Sequence, residues 1–248
     1  MNDDRKLDTS DTLSEVFSIY GSQAAVLLPV AFGLFVLVAV ISGLLSGTIL
    51  GALVAFAVSI VVTTLYQGMV VQLVRDVQDG RRDSSVGDLL SSAAPVVLPL
   101  IAAGFLAGLG ILIGFILLVV PGLILLTIWA VIAPVIVVER TGVIEAFGRS
   151  RQLVRDNGWR VFGVILIVLV ITIVVGIVLG AIGAGLADSS DAVRIVSDLI
   201  GRTITAPISA LVASVLYFRL RAIKEGGTVA ETGDVASGPG AGPGPATA

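Results

Sequence analysis

Four stretches of the chain carry no Asp, Glu, Lys or Arg: Val16–Val74 (59 residues), Leu89–Val138 (50), Val161–Ala187 (27) and Thr203–Phe218 (16). A hydrocarbon core of ~30 Å takes about 20 helical residues at ~1.5 Å each. The two long stretches are each long enough to cross twice and the two short ones once. This predicts an all-α integral membrane bundle of six transmembrane helices, with spans near 24–45, 48–74, 93–119, 122–138, 159–186 and 203–218. Gly43–Gly51 must turn the first hairpin, and Pro121-Gly122 is expected to turn the second, because Pro lacks the amide donor and Gly tolerates left-handed angles. The last span is short, and Arg202 and Arg219 can lengthen it by reaching toward the headgroups.

Between the spans lie two segments with helical amphipathicity. Thr12–Gln23 has a capping box in Thr12 and Glu15, with Leu13, Val16, Phe17, Tyr20 and Ala24 on one face. Val143–Asn157 puts Val143, Ala146, Phe147, Ser150 and Val154 on one side, and Arg149, Arg151 and Arg155 on the other. A basic amphipathic helix of this kind suits an anionic leaflet, and equally a solvated helix packed under the bundle. The chain therefore divides into an acidic segment 1–23 with its amphipathic helix, a membrane domain 24–224, and a Gly/Ala/Pro tail 225–248 expected to be disordered. Glu15-Val16-Phe17, Asp88-Leu89-Leu90 and Glu145-Ala146-Phe147 each precede an apolar span, a short match that suggests three copies of an inner helix plus two spans. The pentapeptide Gln-Leu-Val-Arg-Asp at 72–76 and 152–156 is out of phase with that repeat and reads as coincidence.

Composition agrees with the pattern. The 248 residues are 56% hydrophobic and 13% charged, with a mean hydropathy of +1.06, where soluble domains carry about 25% charged residues. The polar, acidic start lacks the features of a cleavable signal peptide, so the first span is expected to stay as an anchor. With the amino terminus inside, the inner segments hold 13 of the 15 basic residues and the outer ones only Arg194 and Arg202. Six spans with both termini cytoplasmic in the cell membrane is the arrangement that best satisfies the positive-inside rule. Tyr20, Tyr66, Trp159, Tyr217 and Phe218 fall near the same inner boundary, where amphipathic rings are favoured. In this cysteine-free chain, a cysteine at Ser190 should react with an impermeant thiol reagent from outside and one at Ser85 should not. Asp over Glu and Arg over Lys fit a salt-adapted or a GC-rich source equally.

Several chemistries are closed. There is no Cys and no His, which removes disulfides, thiolate and imidazole catalysis and Cys/His metal sites. The two lysines, Lys6 and Lys224, lie outside the apolar stretches. Apart from Arg160 at the inner edge of the fifth, spans one to five hold no ionisable group but Tyr, which argues against a proton-coupled pump. No cofactor is expected, and no basic cluster suggests nucleic acid. The one charged constellation near a span is Asp191, Arg194, Asp198 and Arg202, whose spacing puts them on one helical face. They read either as a charged cavity face or, more simply, as an interfacial helix with solvated ion pairs. Pro29, Pro95, Pro99, Pro134 and Pro207 within or near spans fit ordinary membrane helices better than transporter breaks. Gly-x-x-x-Gly pairs at 43/47/51, 104/108, 110/114 and 176/180 permit close packing in the bundle.

The stretch Pro121-Gly122-Leu123, Trp129, Ala133-Pro134-Val135, Val138-Glu139, Gly142, Ala146, Arg149-Ser150, Leu153-Val154-Arg155 and Asn157-Gly158-Trp159-Arg160-Val161-Phe162-Gly163 carries a family resemblance. It resembles a bacterial and archaeal family of six-span proteins named for the membrane domain of glycerophosphoryl diester phosphodiesterases. The opening Leu13-Ser14-Glu15-Val16-Phe17 and the closing Leu216-Tyr217-Phe218-Arg219-Leu220-Arg221 fit as well, although members often carry an acid where Arg219 stands. The resemblance implies a six-span fold over about residues 12–222. In some relatives the domain precedes a phosphodiesterase that uses His and a carboxylate-bound metal. No such domain is expected here, so that activity is not carried over, and the chain is not expected to be an enzyme.

These readings point to a non-enzymatic multi-pass protein acting as a scaffold, partner or membrane-homeostasis factor. Its partners would be the lipid bilayer and a cytoplasmic or membrane protein, met through Arg149, Arg151 and Arg155. The alternative is a small-molecule or lipid transporter with its substrate between broken spans.

Overall fold

The structure, a computed structural model, describes residues 7–45, 47–79, 86–185 and 191–236. Every regular element among them is helical: α1 Thr9–Leu44, α2 Ile49–Gln78, α3 Val86–Ala93, α4 Val97–Leu117, α5 Val119–Ile128, α6 Ile132–Glu139, α7 Val143–Val154, α8 Gly158–Gly185 and α9 Asp191–Ala236. A 3-10 turn, Ala94–Val96, joins α3 to α4. Six helical stretches are long and apolar enough to cross a membrane: Thr9–Leu44, Ile49–Gln78, Gly87–Leu117, Val119–Glu139, Gly158–Ala181 and Ile195–Gly226. The chain is therefore an all-α, multi-pass membrane bundle. Ser85 and Ser190, the sites chosen for thiol labelling, lie outside the described residues, as does the Gly/Pro-rich end of the tail.

Several boundaries differ from expectation. The amphipathic start and the first span are one continuous helix, with no break between residues 23 and 24. The cap of α1 is Asp8, whose carboxylate accepts from the Ser10 and Asp11 amides. Thr12 lies inside the helix and is buried, so the expected Thr12/Glu15 box does not form. Asp8 outcompetes it because its short carboxylate meets the first free amides of the helix directly. The first hairpin turns as expected, at Leu45–Thr48, with Gly47 at φ +97 and the Thr48 side chain capping α2.

The second hairpin turns three residues earlier than Pro121-Gly122. Leu118, extended at φ −165 and ψ 150, ends α4, and Pro121 sits in the first turn of α5. That is where Pro costs least, because the amide it lacks would have no partner there anyway. Pro99 and Pro134 occupy the corresponding first turns of α4 and α6. Gly122 has a packing role instead. A Cβ there would lie 2.6 Å from the Phe115 ring, and one on Gly114 would lie 2.9 Å from Gly122 Cα. The Gly110/Gly114 pair thus permits the α4–α5 contact, whereas a Cβ on Gly104, Gly108, Gly176 or Gly180 meets nothing within 4 Å. The fourth span is broken between α5 and α6 at Trp129–Val131, just before Pro134.

Helix α9 organises the bundle. It packs most extensively on α1 and then on α8, and also against α2, α6 and α7. The sixth span is the least hydropathic of the six and the most enclosed, with 56% of its most apolar stretch buried against 17% for α8. A helix shielded by protein does not need to satisfy lipid, which explains why it could read as short. It also continues to Ala236, past Lys224, where the sequence reading ends the membrane domain and begins the tail. The Arg221–Glu225 pair, four residues apart, holds the register across that boundary. Val16, Leu89 and Ala146, the middle residues of the three short matches, are all buried.

Candidate functional site

The bundle has two unlike ends. One carries both described termini, α7 and most of the charged groups; the other carries the α1–α2 and α4–α5 turns. They are called here the polar end and the hairpin end.

At the polar end the charges are largely spent on one another. Arg149 on α7 donates from Nε to both Glu139 oxygens at 3.0 Å, and from Nη2 to Glu225 at 3.0 Å. Tyr217 donates its hydroxyl to Glu139 at 3.0 Å, and Arg221 bonds Glu225 at 2.9 Å. Burial disfavours the charge on Arg149, but the hydrogen bonds and charges of Glu139 and Glu225 outweigh it and raise its pKa. Arg219 reaches α1, bonding Glu15 at 2.6 Å and the Asp11 carbonyl at 3.1 Å. Lys224 bonds Asp156, which lowers the Asp156 pKa, first through that hydrogen bond and then through the lysine's charge. The start of the chain is tied down too, since the Leu7 amide donates to the buried Asn157 at 3.1 Å.

Helix α7 is seated under the broken fourth span. The buried Ser150 donates to the Ile128 carbonyl at 2.8 Å, satisfying one of the carbonyls freed at the end of α5. Phe147 meets Trp129 edge-on at 4.9 Å, and Glu145 accepts from the Gly142 amide at the start of α7. The buried face is Ala146, Ser150, Leu153 and Val154. The three arginines singled out from sequence therefore separate. Arg149 is held in the network, whereas Arg151 and Arg155 stand exposed. Sequence reasoning did not place Glu139, Tyr217, Glu15 or Glu225 in a site; the bonds that join them across the helices, to Arg149, Glu139, Arg219 and Arg149, span 10 to 204 residues of the chain.

Two of the aromatic residues expected at a membrane boundary are interior. Tyr66 is buried against Phe35, with ring centroids 6.2 Å apart, and donates to the Leu27 carbonyl at 3.2 Å. Tyr217 is buried beneath Glu139. Each can be enclosed because its hydroxyl has a partner. Trp159 remains exposed.

At the hairpin end, α1, α2 and α9 enclose a cleft of about 860 Å³. Its walls are mainly apolar, with Ser42 and Ser59 among them, and Asp198 and Arg202 of α9 sit on its rim. Arg202 Nε donates to Asp198 Oδ2 at 2.7 Å, four residues apart on one helix. Asp198 and Arg202 are thus an exposed ion pair within one helix that also borders the cleft. The side chains of Asp191 and Arg194 lie outside the described residues. Among the described residues no group of carboxylates is arranged to hold a metal ion.

No family model, curated protein or solved structure matches this chain.

Proposed function

We propose that this multi-pass membrane protein is a non-enzymatic scaffold or membrane-homeostasis factor. Its polar end would face the cytoplasm and meet an anionic lipid surface or a protein partner through α7. The observation that supports this most is the separation of the three arginines. Arg149 is consumed in locking α7 to α6 and α9, which leaves Arg151 and Arg155 presented on a rigidly seated helix. A fixed pair of guanidinium groups attracts anionic headgroups without spending side-chain order on its own fold. The resemblance to phosphodiesterase membrane domains is in keeping with a six-span unit that serves another activity rather than supplying one.

The test is the joint variant Arg151→Gln/Arg155→Gln, reconstituted in discs of mixed zwitterionic and phosphatidylglycerol lipid. The variant should lose the enrichment of phosphatidylglycerol around the protein while keeping its thermal unfolding midpoint. Enrichment equal to that of the parent would remove lipid contact from the proposal. The second reading, transport of a lipid or small molecule, draws support from the cleft at the hairpin end. Scrambling or uptake by reconstituted vesicles above protein-free controls would favour it over a scaffold.

A further inference from the structure

The cleft lies deeper than its charges suggest. Arg75 and Arg221 border the same hollow at the polar end, which gives α2 and α9 a common level. From Arg221 to Arg202 is about 28 Å of α9, and from Arg75 to Ile49 about 39 Å of α2, at ~1.5 Å per residue. The Asp198–Arg202 pair therefore sits some two turns of helix short of the α1–α2 tip. That tip ends in exposed Leu44, Ile49 and Leu50. Residues of such hydrophobicity belong in hydrocarbon, so the pair is carried at the depth of the adjoining leaflet, flanked by apolar helix ends. Ionisable groups at that depth are costly unless they are paired or serve a ligand.

The pairing leaves capacity on both sides. Arg202 commits Nε to Asp198 Oδ2, and among the described residues neither its two terminal nitrogens nor Asp198 Oδ1 has a further hydrogen-bond partner. Below the pair the cleft is lined by Phe35, Val38 and Ala55, and on its side by Phe56, which is 66% exposed. Donors for a phosphate, an acceptor for an ammonium and an apolar slot therefore lie side by side. A volume of about 860 Å³ is in the range of sites that enclose a small ligand.

We infer that this cleft binds a membrane phospholipid with an amine-bearing zwitterionic headgroup. The lipid phosphate would lie on the Arg202 terminal nitrogens, the ammonium on Asp198 and one acyl chain between α1 and α2. The net charge of the pair is zero, which favours a zwitterion over an anionic lipid such as phosphatidylglycerol. This site is separate from α7 and does not depend on Arg151 or Arg155.

The experiment is native mass spectrometry of the full chain released from discs of equal phosphatidylethanolamine and phosphatidylglycerol with identical acyl chains. The parent should retain one phosphatidylethanolamine in preference to phosphatidylglycerol. Arg202→Gln should reduce that retention about tenfold, the scale of a lost charge-assisted hydrogen bond. Asp198→Asn should shift the preference toward phosphatidylglycerol. Ala52→Phe, placed on the exposed wall of the cleft, should abolish retention with the ion pair intact. Circular dichroism of each variant confirms folding. Equal retention of the two lipids by the parent would overturn the inference. So would retention unchanged by Arg202→Gln or by Ala52→Phe. The Arg151→Gln/Arg155→Gln variant should behave as the parent here, which keeps this result independent of the cytoplasmic surface.

Discussion

Helix α2 passes through both environments of the molecule. From Gly68 to Val74 every residue is buried, on a helix packed against α1, α3, α9, α6 and α4, and Tyr66 just before them is buried as well. At the other end Ile49, Leu50, Leu53 and Phe56 are exposed, although they are no less apolar. In a soluble protein such a difference in burial would be matched by a difference in composition. Here it is not, because lipid tails accept an exposed Leu as readily as a protein core does. The two ends differ instead in polar chemistry. The polar end is drawn together by ion pairs that join α1, α6, α7 and α9, whereas the hairpin end opens around a cleft bordered by the Asp198–Arg202 pair of one helix.

The largest expected effect tests whether packing is concentrated toward the polar end. Leu216 is wholly buried in α9, and Leu216→Ala should cost about 3 kcal/mol through the cavity it leaves. Leu50→Ala, at the exposed tip, should stay within about 0.5 kcal/mol. Unfolding followed by steric trapping in bicelles measures both, and similar losses would abolish the contrast. Next comes the close α4–α5 contact near the hairpin end. Gly122→Leu should cost about 2 kcal/mol by overpacking on Phe115, whereas Gly108→Leu, with open space around its Cβ, should be near neutral. The same unfolding measurement separates them.

The ion pairs sharpen the comparison further. Glu139→Gln leaves Tyr217 without its charged partner and Arg149 with Glu225 alone, and should cost about 1–2 kcal/mol after allowing for partial exposure. Asp198→Asn removes a pair that joins two turns of one helix and no other element, and should cost about 0.5 kcal/mol. Equal effects would mean that the network at the polar end does not hold the helices together. The smallest effect concerns the cap of α1. Hydrogen bonds from the Asp11 amide, then from Ser10, hold the exposed Asp8 carboxyl below its ordinary pKa. A depressed pKa means that the cap contributes fully at neutral pH and is lost as pH falls through that lowered value. Asp8→Ala should show the same fraying at neutral pH, read as faster amide exchange at Ser10 and Asp11 with the core unaffected.

Much of the architecture was legible because the bilayer imposes length. Runs without charge must cross, and Gly43–Gly51 could be recognised as the stretch where the chain had to turn. The amphipathic face of α7 was readable from its helical period, including the buried Ala146, Ser150 and Val154. Pro121 misled because the same residue can stop one helix or start the next, and only the position of Leu118 distinguishes the two. The site residues were half legible. Spacing of four brings Asp198 to Arg202 on any helix, so that pair could be read. Nothing local brings Glu15 to Arg219, or Tyr217 to Glu139.

By itself the sequence determined the number of crossings, the all-helical class and the gathering of charge at one end, since each follows from the cost of exposing polar groups to hydrocarbon. Only the tertiary structure decided which helix lies at the centre, which arginine is held and which are presented, and that three helix ends enclose a cleft. Those outcomes depend on pairings between residues distant in the chain. Hydrophobicity alone does not specify them, because in a membrane a side chain meeting lipid and one meeting protein look the same in the sequence.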